Sequence, residues 1–156
     1  EGEISAEIEN TGMILVAGIA ALYDIRTWKI PNWLILLGLE TGIFITVWQN
    51  GVRTGSIRVL AGIWIPIGIL YVMFLAGWLG AGDIKLFSAV GAFCGFMIWK
   101  ILLYAFIAGG ILSLFYVINL LIRKKKRRGL DGRAERHRIH FSLAIWLACL
   151  VYVVYG

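Results

Sequence analysis

Six apolar stretches separated by short polar breaks organise the chain: Ile4 to Tyr23, Trp33 to Trp48, Ile57 to Leu79, Ile84 to Trp99, Ile101 to Ile122 and Ile139 to Tyr155. A bilayer core about 30 Å thick takes roughly 20 helical residues, so most of these can cross it, while the second and fourth are short. In lipid every backbone N–H and C=O must be paired within its own segment, which excludes open strands and makes each stretch a helix. The pattern predicts an all-α polytopic membrane protein with about six transmembrane helices, in a single domain over residues 1–156. Pro31 opens the second helix, where a missing N–H costs least, and Asn32 caps it or closes the turn. Pro66 stands inside the third stretch and predicts a kink. Gly68, Gly77, Gly91, Gly95, Gly109 and Gly110 predict close helix approach.

Composition agrees with lipid. The chain is 60% hydrophobic and 15% charged, with mean hydropathy +0.85, against about 45–50% and about 25% in soluble domains. The net charge of +6 would suit nucleic acid, but nine of the 15 Lys and Arg fall between Arg123 and Arg138, in the loop joining the fifth and sixth stretches. A basic patch beside a membrane meets anionic lipid headgroups instead. If that loop is cytoplasmic, the connections after the first and third stretches are too. That side then carries Arg26, Lys29, Lys85 and the nine loop residues, twelve in all, against Arg53, Arg58 and Lys100 on the other. The positive-inside rule therefore places the loop in the cytoplasm and both termini outside. The acidic start (Glu1, Glu3, Glu7, Glu9) suits the translocated side and argues against a cleavable signal peptide.

Two aspartates interrupt this apolar chain at helix ends. Asp24 follows the first stretch in Asp24-Ile25-Arg26-Thr27-Trp28-Lys29-Ile30-Pro31-Asn32, and Asp83 precedes the fourth in Gly80-Ala81-Gly82-Asp83. A carboxylate at the rim of a membrane helix is costly and calls for a reason. One reading is structural: Asp83 caps a helix, and Asp24 pairs with Arg26 or an interhelical cation. The other is a dyad, since the topology brings both to one face. Like charges held a few ångströms apart cannot both ionise easily, so they share a proton. One carboxylate then activates water and the other protonates a carbonyl, which is aspartyl peptide hydrolysis without metal or organic cofactor. The two glycines leave backbone uncovered beside Asp83, so an extended peptide can approach.

Asp-x-Arg-x-x-x-Ile-Pro-Asn after the first helix, with Gly-x-Gly-Asp-x-Lys-Leu at Gly80–Leu86 opening the fourth, resembles the type IV prepilin peptidases, membrane aspartyl proteases of the GxGD class. The hydrophobic layout agrees over nearly the whole chain. The resemblance implies that Asp24 and Asp83 are the catalytic pair and that the substrate is a prepilin-type protein. Its short basic leader would be cut on the cytoplasmic side, in a prokaryotic plasma (inner) membrane. The Cys-x-x-Cys segment of long members is not in this sequence. The resemblance is therefore to the short, peptidase-only form of tight-adherence pilus systems, and no N-methyltransferase activity is expected. Ile139-His140-Phe141-Ser142-Leu143 stands where many members have a proline-rich stretch, and lacks proline.

Further residues admit two readings each. Arg26 and Lys85 hold substrate backbone or tune the aspartates, or else set orientation; Lys29 anchors at the interface. Glu40, near the middle of the second helix, is protonated, paired or lines a wet cavity. His137 and His140 adjoin the basic loop and read as solvated. Trp28, Trp33, Trp48, Trp78 and Trp99 lie near segment ends as an aromatic belt. Cys94 and Cys149, in apolar runs without metal or redox spacing, read as small core hydrophobes. A small transporter or channel relaying cations through Asp24, Glu40 and Asp83 is the alternative function, and a purely structural subunit is another.

Overall fold

A computed structural model describes residues 2–77, 79–126 and 141–155. They form α1 (Gly2–Thr27), α2 (Asn32–Asn50), α3 (Val52–Leu75), α4 (Ala81–Cys94), a 3-10 turn (Gly95–Met97), α5 (Ile98–Lys126) and α6 (Phe141–Tyr155), with no strand among the described residues. Six helices appear in the predicted order. Several boundaries differ from the hydropathy pattern by three to five residues, and two of them lie at the aspartates. α1 continues past Tyr23 to Thr27, so Asp24 and Arg26 belong to its last turn, and α4 already begins at Ala81, so Asp83 lies in its first turn. Pro66 sits on the buried face of α3, inside a helix that runs on to Leu75. The basic stretch after Lys126, with His137 and His140, lies outside the described residues, as does Trp78.

Three stretches among the described residues are long and apolar enough to cross a membrane: Ala6–Thr27, Val52–Leu75 and Ala81–Asn119, the last running through α4, the 3-10 turn and most of α5. The described part of α6 is apolar and covers 15 residues. The outside of the bundle carries Leu36, Phe44, Trp48, Leu60, Trp64, Leu114 and Phe115 exposed. Water tolerates only small apolar patches, whereas lipid solvates a continuous apolar coat. The chain is a membrane protein.

α4 occupies the middle. Every residue from Leu86 to Gly95 is buried, and α4 packs against α1, α2, α3, α5 and α6. Small residues let the neighbours come that close. On α2, Gly38, Gly42 and Thr46 form one stripe; a Cβ on Gly42 would lie 2.9 Å from the Ala92 Cβ, and the Thr46 hydroxyl donates to the Ala92 carbonyl at 2.9 Å. The tightest approach joins Gly62 of α3 to Gly91 of α4: a Cβ on either would fall 1.9 Å from the other's carbonyl oxygen. Phe87, Phe93, Met13, Leu70, Ile101 and Ile145 fill the core between these close contacts.

Contacts also define two ends. At one, Glu9 of α1, Asn50 of α2 and Arg58 of α3 form a polar cluster. Arg58 Nη2 is 3.8 Å from Glu9 Oε2, Asn50 Nδ2 donates to Glu9 Oε1 at 3.4 Å and to the Thr46 carbonyl at 2.9 Å, and Arg58 Nη1 donates to Asn50 Oδ1. α4 stops beneath this cluster at Gly95, whose φ of 56° favours glycine and whose absent side chain leaves room for Arg58. At the other end meet the last turn of α1 and the starts of α2, α4 and α6. α5 reaches that end too, where Gly109 lies under the Phe141 ring. Successive helices therefore alternate in direction. Glu9, read in the sequence as part of an acidic start, and Arg58, read there as an orientation charge, turn out to be partners.

Gly91→Val should lower stability by at least about 3 kcal/mol, because backbone rather than a flexible side chain occupies the space. Gly68→Ala, with open space around it, should be neutral or slightly stabilising. Thermal unfolding of both variants in detergent checks the contrast.

Candidate active site

Asp24 is half-buried in the last turn of α1. Its carbonyl accepts the Trp28 N–H at 2.9 Å, after which Trp28 takes φ 57° and leaves the helix. A left-handed non-glycine residue costs on the order of 1 kcal/mol or more and persists where its surroundings impose it. The Thr27 hydroxyl oxygen lies 2.8 Å from the Tyr23 carbonyl and 2.9 Å from that of Lys29, bracketing the same turn. Pro31 (φ −68°, ψ 136°) is then the extended residue from which α2 departs. Asn32 makes no cap. Its Oδ1 instead accepts a hydrogen bond from Lys85 Nζ at 3.2 Å, across to α4.

The second motif turns on Gly80, the residue before α4. The Asp83 N–H donates to the Gly80 carbonyl at 3.1 Å, and the Asp83 carboxylate accepts the Gly80 N–H. This reciprocal pairing ties the acid to the helix start, where the helix dipole favours negative charge. Gly80 has φ −80°, which any residue adopts. What its missing side chain provides is room, since a Cβ there would lie 3.3 Å from Asp83 Oδ2. Gly82 faces Ile30, whose Cδ1 would be 3.8 Å from a Cβ at that position.

Two contacts thus hold the motifs side by side: Ile30 against Gly82, and Asn32 with Lys85. They bring Asp24 and Asp83 to the same end of the bundle, near enough that the charge of Asp24 acts on Asp83. A third element joins them. Ser142, at the second position of α6 and wholly buried, donates its hydroxyl to Asp24 Oδ2 at 2.6 Å. Sequence reasoning did not single out Ser142; the only cue was a hydroxyl one residue into an apolar helix whose start lies at the aspartate end.

The remaining candidates lie further out. Arg26 is exposed, two positions after Asp24 and so on another side of the helix. Lys85 is likewise two positions beyond Asp83, exposed, and occupied with Asn32. Glu40 stands on the outward side of α2, away from the buried Gly38, Gly42 and Thr46. It lines an open cleft of about 590 Å³ with Ile43, Phe44, Val47, Trp48, Gly51 and Val52. Cys94 and Cys149 are buried free thiols. No group of three or more His, Cys, Asp or Glu among the described residues is placed to hold a metal ion.

A bundle of membrane helices that brings two acids to one end defines a class of membrane-embedded proteins with paired acidic motifs. The family model of the type IV leader peptidases matches residues 12–118, from α1 into α5, and the chain belongs to that family. Searches among curated proteins and among solved structures find no match. Both aspartates fall inside the matched range, and Ser142 falls beyond it.

If the Asn32–Lys85 bond helps align the motifs, Asn32→Ala and Lys85→Met should each destabilise slightly and should be non-additive. A double-mutant cycle on thermal stability should give a coupling of about 0.5 kcal/mol, the size expected of one exposed hydrogen bond.

Proposed function

We propose that the protein is a membrane-embedded aspartic endopeptidase of the GxGD type that removes the leader of type IV prepilin-like proteins, with Asp24 and Asp83 as its catalytic pair. The observation that carries this reading is that the two motifs lie side by side, through Ile30 against Gly82 and Asn32 with Lys85, with both aspartates at that end of the bundle. One carboxylate takes a proton from water as the water oxygen attacks the scissile carbonyl carbon. The other donates its proton to the carbonyl oxygen. On collapse of the tetrahedral intermediate the C–N bond breaks: a gem-diol hydroxyl proton returns to the second carboxylate as the C=O re-forms, and the proton gained from water passes to the leaving amine. The pair holds one proton before and after the cycle. The Gly80-Ala81-Gly82 backbone provides the open approach for an extended peptide. Lys85, engaged with Asn32, aligns the two motifs rather than touching the reacting bond.

On this reading residues 1–156 act as one domain with six crossings, the aspartate end faces the cytoplasm of a prokaryotic cell, and both termini lie outside. Twelve basic residues against three support that orientation. Prepilin leaders are basic, so the Arg123–Arg138 stretch would repel them, and it binds anionic lipid instead. The ion-relay alternative requires Glu40 to share a path with the aspartates, and its outward position on α2 counts against that.

Co-expression with a prepilin-type substrate should give the mobility shift of leader removal. Asp24→Asn and Asp83→Asn should each reduce cleavage by at least about a thousandfold, because members of a catalytic unit fail together. Near-normal cleavage by either variant would overturn the pair.

A further inference from the structure

Two buried hydroxyls cross between helices, that of Thr46 to the Ala92 carbonyl and that of Ser142 to a carboxylate. Thr41 and Ser88 lie within their helices and turn back on the carbonyl four residues earlier, Leu37 and Ile84, which is how a helical hydroxyl is ordinarily satisfied in lipid. Ser142 is the second described residue of α6. It reaches across 118 positions to Asp24. The separation of 2.6 Å is that of a hydroxyl bonded to a carboxylate rather than to a neutral oxygen. A carboxylate rotates freely about Cβ–Cγ unless something holds it, since that torsion is broad.

We propose that Ser142 is the positioning residue of Asp24. By engaging Oδ2 from α6 it sets the rotation of the carboxylate on α1, so that the chemistry at the aspartate pair depends on how the start of α6 is seated. The role rests on the reading of Asp24 and Asp83 as a catalytic pair. It assigns Ser142 no contact with substrate.

Ser142→Ala removes one oxygen from a buried site and little else. With the full-length protein in detergent and a prepilin-type substrate, it should lower kcat about ten- to a hundredfold, the scale of a small misplacement, while KM stays within about twofold. Ser142→Thr, which keeps the hydroxyl, should recover most of the loss. A cycle needing no activity accompanies this: Ser142→Ala should lower the melting temperature more in the wild type than in an Asp24→Ala background. Wild-type kcat in Ser142→Ala, strictly additive melting shifts, or a Ser142→Thr protein that melts as the wild type yet restores nothing would each overturn the proposal. Cleavage surviving Asp24→Asn would instead overturn the catalytic pair itself. Loss at both aspartates beside an unaffected Ser142→Ala would remove only the role of Ser142.

Discussion

Burying α4 on every side is the condition the other helices obey. A helix with an outer face can be tilted or shifted at modest cost, but α4 is enclosed from Leu86 to Gly95 and contacts every other helix. Its neighbours must then present small residues where they cross it. Gly62 against Gly91 sets the distance to α3, and Gly38, Gly42 and Thr46 set that to α2. Without a hydrophobic drive between helices in lipid, such close packing and a few interhelical hydrogen bonds are what hold the arrangement. Because Asp83 belongs to the first turn of this enclosed helix, its position is inherited from the packing of the whole bundle.

The number of helices was legible because lipid demands long apolar runs, and six of them stand out. The aspartates were legible for the opposite reason: in a chain with nine acids, two at helix ends are conspicuous, and the residues around them carried the resemblance that the family match upholds. Hydropathy misjudged where α1 ends, since Asp24, Arg26 and Thr27 are polar yet continue the helix. That extension carries Arg26 to another side than Asp24. The partnerships were not legible at all. Glu9 with Asn50, Lys85 with Asn32 and Ser142 with Asp24 lie 41, 53 and 118 positions apart. No local pattern encodes which helix faces which, so these pairs emerge only from the packed bundle.

Polar groups gather at the two ends of the bundle in different ways. The Glu9–Asn50–Arg58 cluster balances an acid with a base and an amide, the ordinary solution for charges at a membrane rim. The opposite end places two acids together and supplies them with a backbone N–H from Gly80 and a hydroxyl from Ser142. On the proposed catalytic reading, two acids brought to one end exchange a proton.

The length of α4 carries one more consequence. Its 14 residues rise only about 21 Å, against a hydrocarbon layer about 30 Å thick. On the proposed six-crossing reading α4 crosses alone, and the shortfall of about 9 Å is then absorbed where α4 ends, either by polar groups sitting below the lipid surface or by the bilayer thinning around them. A short central helix would thereby make the lipid itself part of the proposed site, lowering the boundary with water toward the depth of Asp83.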